Sequence, residues 1–418
     1  MSTLSDSRPA RPTIAFFLVF ALAAVPLRDS GPGAVLWTGP GILLASMLIA
    51  WGAESAQFFI AQGFALAILA WMQTLPEFAV EAVLAWKQQV HFLLANLTGA
   101  LRLLTGVGWP MIYFAAAAVH RKRTGKPLGK IVLDASHGVQ VVGLLVPLLY
   151  AVAIWWKGTL HPFDSLVLVA IYAAYLVILA KMPPEAEEGI GDLEPVPLFI
   201  VTSQRPRRVA LIALCFLAGG TLIYLTAEPF LASLIGLAAF IGIPTFVFIQ
   251  WVAPVVSEFP ELASTFYFAR TVTGAPMALM NMVSSNINQW TLLPAMLAIV
   301  YSMSAGHLAA IHFDGVQRLE LLMTIAQAAT GMVFLLNMEL AWWEALSLFG
   351  LWFVQFVLSL LHPSGAGAWA VFVHHSREYV TDAYLVYAAA GIVLLVARRK
   401  TPAALAGFAH TWRSHVVG

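Results

Sequence analysis

The amino-acid sequence predicts an all-α fold: a polytopic transmembrane bundle of two inverted five-helix repeats, with one extra span at each end. Three observations lead there. Of the 418 residues, 60% are apolar and 10% are charged, against roughly 45–50% and 25% in soluble globular domains. Uncharged apolar runs of about 20 residues recur along the chain, the length a helix needs to cross hydrocarbon. A Pro-Glu motif occurs once in each half, in similar surroundings. A membrane β-barrel would alternate apolar and polar residues with period two, whereas these runs are apolar on all sides.

Twelve spans follow in order, near 14–28, 36–60, 63–86, 90–118, 137–157, 164–181, 208–236, 240–270, 274–303, 316–336, 341–361 and 379–397. The first, from Ile14, reads as a retained span, because no small-residue cleavage site follows it. The long polar connection after the sixth carries Glu185, Glu187, Glu188, Asp192 and Glu194, then Arg205, Arg207 and Arg208. It reads as a solvated linker. The chain thus divides into a tail and extra span (1–33), repeat 1 (34–181), a cytoplasmic linker (182–207), repeat 2 (208–362) and a final span with tail (363–418).

Lys and Arg placement supports this count. Arg8, Arg11, the His120-Arg121-Lys122-Arg123 cluster, Lys126, Lys130, Lys181, Arg205, Arg207, Arg208, Arg270, Arg398, Arg399, Lys400 and Arg413 follow an even number of spans. Arg28, Lys87, Lys157, Arg318 and Arg377 follow an odd number. The positive-inside rule then puts both termini in the cytoplasm of a cell (inner) membrane protein. A net charge of +1 suggests no nucleic-acid partner, and the single Cys215 permits no intrachain disulfide or cysteine cluster.

The internal repeat carries the functional reading. Ala53-Glu54 and Leu75-Pro76-Glu77-Phe78-Ala79 stand in one half, with Ala227-Glu228 and Phe259-Pro260-Glu261-Leu262-Ala263 in the other. Asn96 follows Glu77 by 19 residues and Asn281 follows Glu261 by 20. The two Pro-Glu spans are the third and eighth. An odd offset of five inverts the second copy, and inverted repeats with polar, interrupted helices mark a secondary-transporter site.

A carboxylate inside a span costs roughly 2.5–3.5 kcal/mol on insertion scales, so one that persists faces a cavity or a partner. Pro76 and Pro260 lack an N–H and would free the carbonyls of Met72 and Val256, while Pro254 would free that of Gln250. A freed carbonyl beside a carboxylate is a hard-oxygen cation ligand. Helical spacing sets Gln73, Thr74, Glu77 and Glu81 on one face, and Ser257, Glu258, Glu261 and Thr265 on the matching face. Asn281, Ser284, Ser285 and Asn288 form a stripe whose counterpart, Asn96, Gly99, Ala100 and Leu103, is poorer in ligands. The site is expected to be lopsided.

These segments resemble the calcium/cation antiporter superfamily, the sodium/calcium exchangers and their relatives. That family carries a small-hydroxyl Leu-Pro-Glu segment and a Gly-Asn-x-x-Gly-Ser-Asn segment in each repeat. Thr74-Leu75-Pro76-Glu77 and Ser257-Glu258-Phe259-Pro260-Glu261 are similar to the first, as Asn281-Met282-Val283-Ser284-Ser285-Asn286 and Asn96-Leu97-Thr98-Gly99-Ala100-Leu101 are to the second. The resemblance implies Ca²⁺ held between Glu77 and Glu261 as metal ligands, with Na⁺ or H⁺ competing for the same oxygens by alternating access. Thr74, Ser257 and Ser285 would be hydroxyl ligands, Glu258 part of the ion site, and Asn96 and Asn281 would pack or coordinate nearby. Gln73 and Glu258 stand where hydroxyl residues are usual, Ala100 and Leu101 replace a Ser and an Asn, and Gln289 replaces an acid. A sodium/calcium ratio therefore does not carry over.

Other readings stand beside these. Glu77 and Glu261 as structural acids paired across helices is one; two symmetric copies after proline favour transport. Asn96 and Asn281 are equally interhelical glue, worth about 1 kcal/mol each. Glu258 and Glu81 either carry a proton or sit near the membrane surface. Arg102, a cation inside a span, pairs with one of those two acids or stands in for a transported ion; Arg102 and Glu81 would then set the site's charge. Glu54 and Glu228 read as interfacial, and His307, His312, His374 and His375 as loop residues. No His-Glu-x-x-His, Gly-x-Ser-x-Gly or nucleotide loop points to an enzyme, and no bound cofactor is expected beyond transported Ca²⁺, Na⁺ or H⁺. The partners are inorganic cations and the lipid bilayer. A monovalent Na⁺/H⁺ antiporter and a transport-inactive sensor remain the alternatives.

Overall fold

A computed structural model describes residues 31–59, 74–182, 193–270, 274–361, 367–397 and 401–417. The expected first span, Met72, Gln73, the linker acids Glu185 to Asp192, and the cations Arg8, Arg11, Arg28, Arg398, Arg399 and Lys400 lie outside the described residues.

Repeat 1 contains α1 (Val35–Ala56), α2 (Leu75–Trp86), α3 (Val90–Leu103) and α4 (Trp109–Thr124), then α5 (Gly138–Lys157) and α6 (Pro162–Ala180). A π-helical turn over Leu104–Gly108 joins α3 to α4, so they form one span of 35 residues. A short α7 (Pro195–Thr202) precedes repeat 2: α8 (Arg205–Ile241), α9 (Thr245–Ser257), α10 (Phe259–Ala269), α11 (Ala275–Ala305), α12 (Gly315–Leu335) and α13 (Trp342–Leu360). Outside the repeats lie α14 (Ala368–His374), α15 (Ser376–Ala397) and α16 (Ala403–Thr411).

Among the described residues, eight helices are long and apolar enough to cross a bilayer. The 31-residue α11 has the length, but its polar stripe keeps it out of that set. Proline sets the interruptions. Pro254 lies inside α9, which stops at Ser257 before α10 starts at Phe259, leaving Glu258 at the break.

The halves interlock as an inverted pair. Helix α1 packs on α8, the first helix of each repeat, while the second helix of each packs on the third helix of the other: α9 on α3, and α2 on α11. Two small antiparallel ribbons repeat the relation. Strand β1 (Lys130–Val132) pairs with β4 (Glu339–Ala341), and β2 (Thr159–Leu160) with β3 (Ile311–His312). Each ribbon joins the loop after one repeat's third helix to the loop after the other's fourth. Large apolar side chains such as Leu149, Leu217, Tyr224 and Val396 face outward, as a lipid solvent requires.

Candidate cation-binding site

Glu77 lies in the first turn of α2, capped by buried Thr74, and Glu261 in the first turn of α10. Each residue therefore belongs to the first turn of its helix, the end that carries the positive side of the helix dipole. Glu258 occupies the break ahead of α10. All three side chains are buried, at 1%, 3% and 5% exposure for Glu77, Glu258 and Glu261.

One amide holds the cluster together across the repeats. Gln289 Nε2, on α11, donates to Glu77 Oε2 at 2.8 Å and to Glu258 Oε1 at 2.7 Å. Glu258 is also within hydrogen-bond reach of both Glu77 and Glu261. A hydrogen bond between two carboxyl groups needs a proton on one of them, since ionised carboxylates only accept. Ser285 donates from Oγ to Glu261 Oε2 at 2.8 Å. Beside them, Asn96 Nδ2 donates to buried Glu81 Oε1 at 2.9 Å.

Ligand capacity is left over. Glu77 Oε1, Glu81 Oε2, Asn96 Oδ1, Thr265 Oγ1 and Gln289 Oε1 are buried without a hydrogen-bond partner among the described residues. Among the described residues, no lysine or arginine forms an ion pair with Glu77, Glu81 or Glu258. Among the described residues, no three acids already converge into a metal cage. The arrangement is a cluster of buried acids whose oxygens are chemically able to take protons or, were the Gln289 amide to move away, a cation.

Several expectations need correction. Arg102 pairs with neither Glu258 nor Glu81: its Nη1 lies 2.7 Å from Glu320 Oε2 on α12. Six residues separate it from Asn96, about 240° around the helix, so it leaves α3 on another face. Asn281 is half-buried, and among the described residues no hydrogen bond ties it to an acid; Ser285, one turn on, takes that place. The Ser257 hydroxyl donates to the carbonyls of Ala253 and Pro254, at 3.2 and 3.3 Å, within its own helix. Glu54, near the end of its span, is buried by neighbouring helices, while Glu228 is exposed and pairs with Lys87 at 2.5 Å. Glu81 is fully buried within the protein, and His374 ends α14 instead of lying in a loop. Glu320 and Gln250 were not singled out as a pair. A lone acid in the span near 316–336 was the available signal.

The freed carbonyl expected at Gln250 has a packing consequence. A Cβ built on Gly99 would sit 2.0 Å from Gln250 O. The glycine in the ligand-poor stripe is therefore where α3 and α9 cross closely.

A profile of the sodium/calcium exchanger protein family matches residues 30–181 and 211–361. The crystal structure of an H⁺/Ca²⁺ exchanger, CAX, is similar with a TM-score of 0.81 and 31% identity, covering 96% of this chain and 97% of that one. The sodium-calcium exchanger NCX_Mj, soaked with Na⁺ and zero Ca²⁺, gives a TM-score of 0.50 and 17% identity over 82% of this chain and 98% of its own. Native YfkE gives 0.55 and 12% identity over 82% and 99%. These last two share the fold. A comparison with curated proteins finds no match.

Proposed function

The chain belongs to the sodium/calcium exchanger protein family, and from that premise we propose that this secondary active cation antiporter exchanges Ca²⁺ for H⁺. The observation that carries the proposal is the carboxyl cluster Glu77, Glu258 and Glu261, drawn from opposite repeats and bridged by Gln289. Protons satisfy such a cluster through carboxyl–carboxyl hydrogen bonds, and a divalent cation satisfies the same oxygens once those protons leave. Occupancy by one therefore excludes the other, which is the coupling an antiporter needs. The 31% identity to an H⁺/Ca²⁺ exchanger supports this ion pair over Na⁺.

In this reading Glu77 and Glu261 are the principal ligands, with Glu258 as third acid and Ser285 orienting Glu261. Glu81, held by Asn96, adds charge one turn beyond Glu77. Alternating access presents the cluster to each side of the membrane in turn. The bias of Lys and Arg supports a cell (inner) membrane location with both termini cytoplasmic.

Flux into proteoliposomes under separate Ca²⁺, Na⁺ and H⁺ gradients tests the proposal. A pH gradient should drive Ca²⁺ flux without Na⁺, and Glu77→Gln and Glu261→Gln should each abolish it while the protein still inserts. Na⁺ flux driven by pH with no Ca²⁺ movement would instead assign monovalent antiport. Retained Ca²⁺ exchange in both variants would remove the cluster from the mechanism.

A further inference from the structure

Helix α15 stands outside both repeats, yet its first turn reaches their shared core. Arg377 Nε lies 2.9 Å from Glu320 Oε1, while the other oxygen of that carboxylate lies 2.7 Å from Arg102 Nη1. The Arg102 and Glu320 side chains are completely buried, and Arg377 is 30% exposed. Gln250 Nε2, from α9, donates to the same Glu320 Oε2 at 2.8 Å. A single carboxylate thus ties together α3, α9, α12 and α15.

The surroundings fix each member. Arg102 Nε donates to Thr98 O at 3.1 Å, and its guanidinium lies 5.5 Å from the Trp251 ring centre. Gln327 Nε2 donates to Arg102 O at 3.1 Å. The Arg377 guanidinium lies 5.3 Å from the ring centre of Phe246. Phe246, Gln250 and Trp251 all belong to α9. The cluster therefore grips the first half of α9, and Glu258 follows Gln250 by eight residues, about 12 Å along the helix. Pro254 lies between them, so α9 lacks a full backbone ladder over that stretch and relies on outside contacts for its course.

We propose that Arg377, Glu320 and Arg102 form a clamp between the repeats that positions α9, and with it Glu258, so that α15 is a working part of the exchanger. These are positioning residues, since they act on the ion site through Gln250 and α9. The inference builds on the proposed Ca²⁺/H⁺ reading for its transport readout only. Loss of Arg377 leaves the buried Arg102–Glu320 pair intact, so the bundle persists while α9 loosens.

The test uses the full-length protein in proteoliposomes, with Arg377→Gln, Arg377→Lys and Gln250→Leu. The last keeps every ion pair and removes only the tether on α9. Arg377→Gln and Gln250→Leu should each raise the half-saturating Ca²⁺ concentration about tenfold, the scale of one hydrogen bond to a charged group, with the maximal rate unchanged. Arg377→Lys should restore most of the affinity. Backbone amide exchange over residues 246–258 should quicken in both weakened variants while α5 stays protected. Unchanged half-saturation and unchanged exchange would overturn the clamp, as would a loss of maximal rate that simply tracks the amount of folded protein. If the unmodified protein moves no Ca²⁺, the functional reading fails and amide exchange alone decides the clamp.

Discussion

Gly99→Ala adds one methyl group at the crossing of the two repeats. The new Cβ would meet Gln250 O at 2.0 Å where ordinary contact begins at 3.4 Å, so α3 and α9 must part by about 1.4 Å. The obstacle is a backbone carbonyl, which cannot rotate aside as a side chain would. Overpacking of this kind costs about 1–3 kcal/mol, and the upper end applies when backbone must move. Alanine's better helix propensity returns about 1 kcal/mol, leaving a net loss near 2 kcal/mol. Function should suffer more than stability, because binding constellations hold their geometry to about 0.5 Å. Moving α9 carries Glu258 away from Gln289, now 2.7 Å distant. Thermal unfolding in detergent and Ca²⁺ flux in vesicles measure both effects. Gly220, inside α8, is the internal control, since nothing lies within 4 Å of a Cβ there; Gly220→Ala should leave flux intact and, with helix propensity alone at work, raise stability by about 1 kcal/mol. A Gly99→Ala protein that matches the unmodified one in both assays would refute the close crossing.

Further outcomes follow from the same geometry. Ser285→Ala removes the 2.8 Å donor to Glu261 and should weaken Ca²⁺ binding at least tenfold, from about 1.5 kcal/mol for a hydrogen bond to a charged acceptor; half-saturation of transport reads this. Asn281→Ala, which breaks no hydrogen bond to an acid, should leave that affinity in place. Arg102→Met removes one partner of a completely buried pair and should destabilise by about 3–5 kcal/mol, seen as lost thermal stability in detergent. Ca²⁺ affinity should fall as pH is lowered, because carboxylate ligands must lose their protons to bind metal; affinity independent of pH would argue against shared oxygens.

Much of this was legible beforehand. Apolar runs marked the eight described helices long and apolar enough to cross, because lipid demands continuous apolar helix, and the two Pro-Glu pairs marked both acids and, in the second repeat, the break. Ser285 was within reach because i, i+3, i+4 spacing placed it on the Asn281 stripe. The partner of Arg102 was not, because choosing among acids on distant spans needs the rotation of α3 about its axis, which hydropathy does not report. Gln289 stood out only as a departure from the family pattern; its bridging role depends on α11 packing against α2 across the repeat boundary. Glu54 lies two residues from the end of its span, as expected, but hydropathy does not report the neighbouring helices that cover it.

The protein contains both answers to a buried acid, and the contrast separates the proposed cargo site from the scaffold. Glu320 meets Arg102 and Arg377, so its charge is matched by cations fixed to the chain. An acid so paired has no use for a mobile ion, and releasing one of its partners would strand a charge in low dielectric. Glu77 and Glu258 meet a neutral amide and each other. Among the described residues no cation pairs with them, and under the proposed function their neutrality in the membrane comes from protons or from a cation that arrives and leaves. Inverted symmetry brings the acids together, but its imperfection makes the difference: Gln289 has Leu104 at its counterpart position, and Ser285 has Ala100. The second repeat thus supplies the donors to Glu77, Glu258 and Glu261, while the first supplies only Asn96 to Glu81. An exchanger with perfectly equivalent halves would have no such bias in which carboxyl is held and which is bridged, and Gln289→Leu, which makes the halves more alike, is the substitution that should erase it.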